Sequence, residues 1–335
     1  MPHFARTASA NASPYDFSGS LAIGLFQFHF TLQNPLDYPD AAESVWRGTL
    51  GHALRTLLCH TPQQSCGHCL LRRKCAFSIV FENSYMRELQ KGPLRVEPPP
   101  PITLYSVSPS GHYHEGDTLS IELVLIAEQQ AILPAIVSAL DRVVLQFKGQ
   151  EAVTASLSEV THIKETTQFS QQPIWNGNWQ LPNSIASQID MPEWLLRNDR
   201  VRLRWLTPAV LKHRGAPITE NLTLQQMMTM LLRRFTLLQS YWTQQNLPNS
   251  DEISDWLSAI EQVQLQFKPW AGTRRSRQQN RHMHFQGIAG EAEIETQSIQ
   301  HLLALLWMGQ WLHLGKGASF GMGRYQLLPV NNTFG

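Results

Sequence analysis

No run of about 18 apolar residues, the length a membrane-spanning helix requires, occurs in the 335 residues, and the polar start MPHFARTASANASPYDFSGS has no apolar stretch of the kind a secretory leader carries. The expectation is a soluble, cytoplasmic protein. Cysteine is scarce: the chain has four, and in a reducing compartment unmodified thiols serve as metal ligands or buried side chains more readily than as disulfides. Glycine and proline, twenty of each, show no collagen-like period, and no tandem repeat has solenoid or propeller spacing. Net charge is nearly absent, at +1, so any anion-binding surface has to be local. What is present is a 42% hydrophobic share, enough for one large or two medium cores, with two preferred on domain size.

The charge is unevenly placed. Residues 1–168 carry 12 Lys+Arg against 15 Asp+Glu, and 169–335 carry 15 against 11. Arg197 to Arg214 holds six cations and one acid, and Lys268 to Arg281 five cations and no acid. Clusters of that kind mark an anion-binding surface on a near-neutral protein, or simply a solvated face.

Period-two alternation at 21–32 places Phe26, Phe28, Phe30 and Leu32 on one face of a strand, with Gln27 and His29 on the other. Residues 43–58 follow a helical period, with Trp46, Leu50, Ala53, Leu54 and Leu57 on one stripe. After a proline-rich connector, strands are predicted at 102–107 and 118–127, a helix near 129–141 and an extended stretch at 151–166. The segment 168–190, rich in Gln, Pro and Asn, reads as a linker. The same β-α-β-β-α-β order then recurs: strand 200–207, helix 222–243, extended segments near 260–270 and 281–295, helix 298–312 and a last strand. The fold class is α+β, two tandem ferredoxin-like (RRM-like, βαββαβ) domains over 1–180 and 181–335, with a small cysteine-rich insertion at about 59–80 in the first.

Cys59, Cys66, Cys69 and Cys75 make up that insertion, and the Cys66-Gly67-His68-Cys69 knuckle has the gap that lets two thiolates grip one ion. A closed, structural, four-thiolate zinc site is expected; an iron–sulfur cluster or unligated buried thiols are the alternatives. His52 precedes Cys59 by seven residues, about 10.5 Å of helical rise, so both cannot reach the same ion. On the helical wheel His52 lies opposite the apolar stripe, beside Gly48 and Arg55, and is expected to face solvent.

Arg200, Arg202 and Arg204 alternate along one face of a strand while Val201, Leu203 and Trp205 occupy the other. Three like charges in a row repel unless something anionic lies across them. Lys212 and Arg214 continue the patch after a Thr-Pro turn, and of Arg233 and Arg234 in the next helix one flanks the patch and the other is a surface residue. Arg274, Arg275, Arg277 and Arg281 crowd a polar loop entering a strand at His282 to Gln286. The stretch LGKGASFGMGRY carries Gly315, Lys316, Gly317, Gly321 and Gly323 in a helix–glycines–strand order. A Walker loop or a Rossmann loop has the opposite order, so nucleotide-cofactor binding is disfavoured. Glycines do allow a nucleic-acid backbone to approach main-chain N–H groups.

Four stretches, VWRGTLGHALRTLLC with its cysteines, RLRWLTPAVLKHRG with LLRRF, RRSRQQNRHM, and LHLGKGASFGMGRYQL, together resemble the CRISPR precursor-RNA processing endoribonucleases of the RAMP superfamily, in the branch with a cysteine-containing insertion. The resemblance implies binding of CRISPR repeat RNA and one metal-independent cut, by attack of a ribose 2′-OH, that leaves a 2′,3′-cyclic phosphate and a 5′-OH. It implies a histidine base in or near the first helix, which points to His52, with His29 second and with Arg55 or Lys316 steadying the phosphate. The basic residues above and the glycines of 314–323 would hold the RNA. Partners implied are repeat RNA or mature crRNA and, in some members, an effector complex or a reverse-transcriptase/integrase adaptation complex. Two alternatives stand beside it: a non-catalytic RNA-holding subunit of such a complex, and a zinc-bearing protein-interaction module.

Overall fold

The structure, a computed structural model, describes residues 15–61, 65–88, 96–167, 170–182, 184–276 and 281–330. The alternating run becomes strand β1 (Ile23–Leu32), which buries Phe26, Phe28 and Phe30 and leaves Gln27 and His29 half-buried on its other face. Helix α1 (Glu43–Leu58) packs on the phenylalanine face, the Phe30 and Trp46 rings 4.6 Å apart. Glu43 in its first turn and Arg55 in its last complement the helix dipole. Trp46, Leu50 and Leu54 are buried, but Leu57 is 46% exposed. The predicted stripe is therefore one residue too long, because the last turn runs past the core toward the cysteine segment, which ends in α2 (Ala76–Phe81).

Strands β2 (Ile102–Ser106) and β3 (Thr118–Ile126), helix α3 (Leu133–Leu140), and strands β4 (Arg142–Leu145), β5 (Val153–Glu165) and β6 (Ser170–Trp175) complete the first unit. Its sheet runs β2-β3-β1-β5-β4, with β6 also on β5 and every pair antiparallel. This is the strand order of a ferredoxin-like domain with two added edge strands. The predicted linker at 168–190 is corrected: β6 is a strand, and the chain stays on the first sheet through the Ser187 N–H to Ile23 carbonyl bond, 2.7 Å, and the Gln188 N–H to Lys164 carbonyl bond, 2.7 Å.

The second unit repeats the order. Strand β7 (Arg200–Trp205) leads to α4 (Leu224–Trp242), which opens on a capping box: Thr223 Oγ1 accepts from the Gln226 N–H at 3.1 Å and the Gln226 side chain accepts from the Thr223 N–H at 3.0 Å. Strands β8 (Lys268–Ser276) and β9 (Arg281–Ala289) form a hairpin. Gly290, at φ 97°, turns the chain into β10 (Glu291–Glu295) beside β7. Helix α5 (Leu303–Leu312) and strand β11 (Tyr325–Pro329), on the other side of β7, finish the domain. The α+β architecture of two ferredoxin-like repeats agrees with the sequence reading. No helix among the described residues is long and apolar enough to cross a membrane.

Helix α5 is buried on almost every side, as a sequence with Gln310 as its one polar side chain requires, and reaches the first domain, where Thr103 Oγ1 donates to the Trp311 carbonyl at 2.8 Å. Beside it Arg324 pairs with Glu122 at 2.9 Å, the two side chains 9% and 8% exposed. The Arg324 cation also lies 5.6 Å from the Tyr105 ring and 5.5 Å from the Trp311 ring. Removing one partner of such a pair strands a buried charge. Glu122→Ala should therefore lower the unfolding free energy in urea by about 3–5 kcal/mol, and Glu122→Leu with Arg324→Met should recover most of it; equal loss in both would show that packing, not charge, holds the domains together.

Candidate nucleic-acid interface

Alternation along β7 does turn Arg200, Arg202 and Arg204 to one face, Arg202 half-buried between two exposed neighbours, but the anion lying across them is the protein's own. Strand β10 sets Glu295, Glu293 and Glu291 opposite them in register. Arg200 bonds Glu295 at 3.1 Å, Arg202 bonds Glu293 at 3.4 Å and Arg204 bonds Glu291 at 2.8 Å. These exposed pairs add little stability each, yet they leave the ladder without net charge. The two guanidiniums beside Glu291 hold its carboxyl below the usual carboxylate range, Arg204 doing most. The missed signal was the alternation of Glu291, Glu293 and Glu295 in the sequence, which mirrors the arginines.

Three other motifs do meet. The segment after the Thr-Pro turn lies between the glycine loop and the β8–β9 hairpin: Ala209 and Ile288 exchange backbone bonds at 2.9 and 3.0 Å, the Lys316 N–H donates to the Val210 carbonyl at 2.8 Å and the Gly323 N–H to the Pro208 carbonyl at 2.9 Å. Lys316 is exposed, its Nζ 6.0 Å from the Phe285 ring. Lys212 and Arg214 sit in a small exposed hairpin three residues further on, with Arg214 and Gly215 at φ 51° and 87° as a primed turn needs. Lys212, Arg214 and Lys316 have no ion pair among the described residues, unlike the β7 arginines. Arg274, Arg275 and Arg281 fall on the hairpin strands rather than in a loop, paired by backbone register with Met283, His282 and Ser276. Arg277 lies outside the described residues.

The glycines serve the protein's own packing first. Gly315, Gly317, Gly321 and Gly323 all adopt positive φ. A Cβ on Gly321 would stand 2.4 Å from Glu43 Cγ, and one on Gly323 would stand 1.8 Å from the Leu314 carbonyl oxygen. These two are buried, so only Gly315 and Gly317, half-buried beside Lys316, border the surface. Arg233 is exposed on α4. Arg234, expected at the surface, is half-buried with its guanidinium turned inward: its Nε donates to the Leu312 carbonyl at 2.7 Å, satisfying the end of α5, and burial of the cation brings its pKa down to about 10.

Helix α1 meets the glycine loop at its first turns. Arg47 lies over the Phe320 ring at 4.1 Å and the Phe81 ring at 4.4 Å, and Glu43 is buried against Gly321, its carboxyl pKa pushed up by burial. His52 is exposed on α1, about 7.5 Å along the axis and roughly 140° around from Arg47. Arg55, 5.6 Å from the Phe77 ring, shares its flank. His29 is half-buried on the polar face of β1, its Nδ1 2.8 Å from Ser120 Oγ. Burial lowers its pKa, against the pull of Glu159.

Cys59 ends α1, Cys66 and Cys69 flank a one-turn 3₁₀ segment and Cys75 precedes α2. Burial pushes the Cys66 thiol pKa up, and the neighbouring Glu82, Cys75 and Cys59 add to it. Among the described residues no three of the His, Cys, Asp and Glu side chains are grouped to hold a metal ion. The donor set suits zinc chemically, whereas the expected four-thiolate geometry is not assembled. Sequence reading also missed His313, buried at φ 57° directly before the glycine loop, its ring set against the main chain of Ala318 and Met322.

One family model, described as an N-terminal domain, matches residues 21–187, and a second, CRISPR-associated endoribonuclease Cas6, matches residues 203–325. Among solved structures the fold is similar to Thermus thermophilus Cas6, with TM-score 0.51, 14% identity, and 92% of this chain and 99% of that one covered. It is also similar to a Cas6 product complex, with TM-score 0.50, 15% identity, and 91% and 100% covered. A partial Cas6-RT-Cas1–Cas2 complex gives TM-score 0.54 at 12% identity over 93% of this chain and 47% of that one. No curated protein matches.

The buried histidines make stability depend on pH. Burial, then Arg324 and Arg234, drives the His313 pKa well below its ordinary value, and burial lowers that of His162 to about 4. Both stay neutral in the fold, while the unfolded chain takes up protons below about pH 6.5. Their contribution is thus intact above that pH and lost as pH falls, by up to about 1.4 kcal/mol per pH unit for each group. Urea titrations from pH 7 to 5 should show this slope, and His313→Gln should flatten it by about half; an unchanged slope would remove His313 from the account.

Proposed function

We propose, from the match of residues 203–325 to the Cas6 endoribonuclease model, that the chain is a Cas6-type protein of the CRISPR-associated RAMP superfamily that binds CRISPR repeat RNA and processes precursor crRNA by a single metal-independent cut. The observation that carries this reading is the meeting of the Thr-Pro segment, the glycine loop and the β8–β9 hairpin beside Lys212, Arg214 and Lys316, which are exposed and have no ion pair among the described residues. Cations balanced by the protein's own glutamates would add little to phosphate binding; exposed free ones release counterions and hold the strand.

His52 is the proposed base. It withdraws the proton from the ribose 2′-OH, the oxygen attacks the adjacent phosphorus in line, and the bond to the 5′-oxygen of the next nucleotide breaks. A 2′,3′-cyclic phosphate remains on one product; the departing 5′-oxygen takes a proton and leaves as a 5′-OH. Arg55 shares the exposed flank of α1 with His52 and suits the charge that develops on the phosphate. His29 is the second candidate, but its hydrogen bond to Ser120 and its half-burial in the sheet leave it less access to a strand lying along α1.

The likeness to the Cas6-RT-Cas1–Cas2 complex favours one further reading, an RNA-holding part of an adaptation assembly. Cognate repeat RNA in EDTA separates the two. A processing enzyme cuts it, fails on a 2′-deoxy substitution at the cut site while still binding, and loses about 10²–10⁴-fold in rate on His52→Ala with affinity kept. Binding without cutting of either RNA would favour the holding subunit, and unchanged cutting by His52→Ala would move the base elsewhere.

We also propose that Cys59, Cys66, Cys69 and Cys75 close around one structural zinc, an ion that would draw the thiols of the insertion together. Elemental analysis of protein prepared without chelator should find about one zinc per chain, and Cys66→Ser with Cys69→Ser should lose it and lower Tm. Metal-free protein of unchanged Tm would sink the proposal.

A further inference from the structure

Two stretches of the chain, neither used by the interface above, carry opposite charge. Between Glu43 and Glu82 there are five Lys/Arg and no acid, and between Arg234 and Lys268 four acids and no Lys/Arg. In the first, Arg72 is engaged: it donates to the Gly67 carbonyl and lies 5.5 Å from the Tyr85 ring. Arg73 and Lys74 are exposed and have no ion pair among the described residues. In the second, the helix Ser250–Ser258 buries Trp256 and turns Asp251, Ser254, Asp255 and Ser258 to solvent. The helix dipole favours Asp251 in the first turn, but Asp255, one turn on, is a like charge on the same flank, and neither has an ion pair among the described residues.

The two stretches are neighbours in space. Arg73 lines a depression together with Thr243 and Gln244, which follow the end of α4. Five residues separate Gln244 from Ser250, so the acidic helix starts within about 20 Å of Gln244. Apolar side chains stand free in both. Leu70 and Leu71, next to the cations, are 99% and 61% exposed, and Leu247, in the link to the acidic helix, is 46% exposed. A lone leucine on a surface is ordinary; leucines that flank unpaired charges of both signs make a patch of the kind that another protein covers.

We propose that this part of the surface is a two-fold interface with a second copy of the chain, in which Arg73 and Lys74 of one protomer face the acidic helix of its partner and the reverse, with Leu70, Leu71 and Leu247 covered between them. A surface that carries a basic patch beside an acidic one is its own complement under a two-fold axis, because each patch meets the opposite sign. RNA is the poorer occupant, since a strand laid on the cations would bring its phosphates toward the acids beside them. A protein partner of one sign would satisfy only one of the two patches. The dimer requires no RNA, so its test is independent of the RNA-processing reading.

Sedimentation equilibrium on the full chain without RNA tests it. At tens of micromolar protein and about 50 mM salt the mass should be twice that of one chain, and the dimer dissociation constant should rise roughly tenfold by about 500 mM salt as the contacts are screened. Arg73→Glu with Lys74→Glu should be monomeric, because an acidic tip then faces the acidic helix, and Asp251→Lys with Asp255→Lys should be monomeric for the mirror reason. Equal amounts of the two variants should recover a dimer, since one protomer is then acidic and the other basic at both contacts; that recovery also shows both to be folded. The neutral pair Arg73→Gln with Lys74→Gln, which adds no charge, should raise the wild-type dissociation constant roughly tenfold. A wild-type chain that stays monomeric, a dimer indifferent to these substitutions, or two folded reversal variants that do not recover together would overturn the interface. A monomeric wild type whose Arg73→Glu, Lys74→Glu variant loses affinity for repeat RNA would also overturn it, and would assign the cations to nucleic acid.

Discussion

The arrangement of the two domains turns on one buried cation. Arg324 follows the glycine loop directly, and its guanidinium crosses to Glu122 on the first sheet at 2.9 Å, against Tyr105 and Trp311. Its backbone N–H donates to Thr207 Oγ1 at 3.0 Å, and the same hydroxyl donates to the Gly321 carbonyl at 2.6 Å. One residue therefore ties the loop, the Thr-Pro segment, α5 and the first domain together. A charge this deep is tolerable only while its carboxylate partner is in place, so the glycine loop holds its shape only where the two domains are docked. The same field explains the neutrality of His313: with Arg324 and Arg234 nearby, a third buried positive charge would have no counterion.

The periodic elements were legible because a period reports local geometry. Alternation gave β1 and β7, and the 3.6 period gave α1, down to the exposure of His52 opposite Trp46 and Leu54. What sequence could not give was who sits across the sheet. Read along one strand, Arg200, Arg202 and Arg204 look like a nucleic-acid face; read across the register to Glu295, Glu293 and Glu291, they are a closed ladder. The linker at 168–190 was misjudged for a related reason, since a polar strand at a sheet edge needs only one half-buried face and its composition resembles a loop. Arg234 was misplaced because a single guanidinium can end a neighbouring helix, a partnership that no local pattern announces.

The ladder also changes how the basic half of the chain is understood. Cation number was a poor guide to anion binding, because four of the six Lys/Arg from Arg197 to Arg214 are balanced in place, Arg197 by Glu193 and the three ladder arginines by β10. Availability is the better measure. By that measure Lys212, Arg214 and Lys316 matter more than their more numerous neighbours, and Gly321 and Gly323 matter because they let the loop carrying Lys316 close against Glu43 and Leu314.

Helix α1 is the element common to every proposed step. Its first turns are fixed to the glycine loop through Glu43 and Arg47, and its last turn runs into the cysteine segment through Arg55 and Phe77. Sixteen residues span about 24 Å of rigid helix, with His52 on an exposed flank between the two attachments. A helix held at both ends does not adjust its length to the strand beside it. On the proposed path, the distance between a phosphate gripped at Lys316 and His52 is therefore set by the protein, and the bond presented to the imidazole follows from how the RNA spans that fixed interval. An exposed base can select one cut in this way, since the selection comes from where the strand is anchored and not from the imidazole itself.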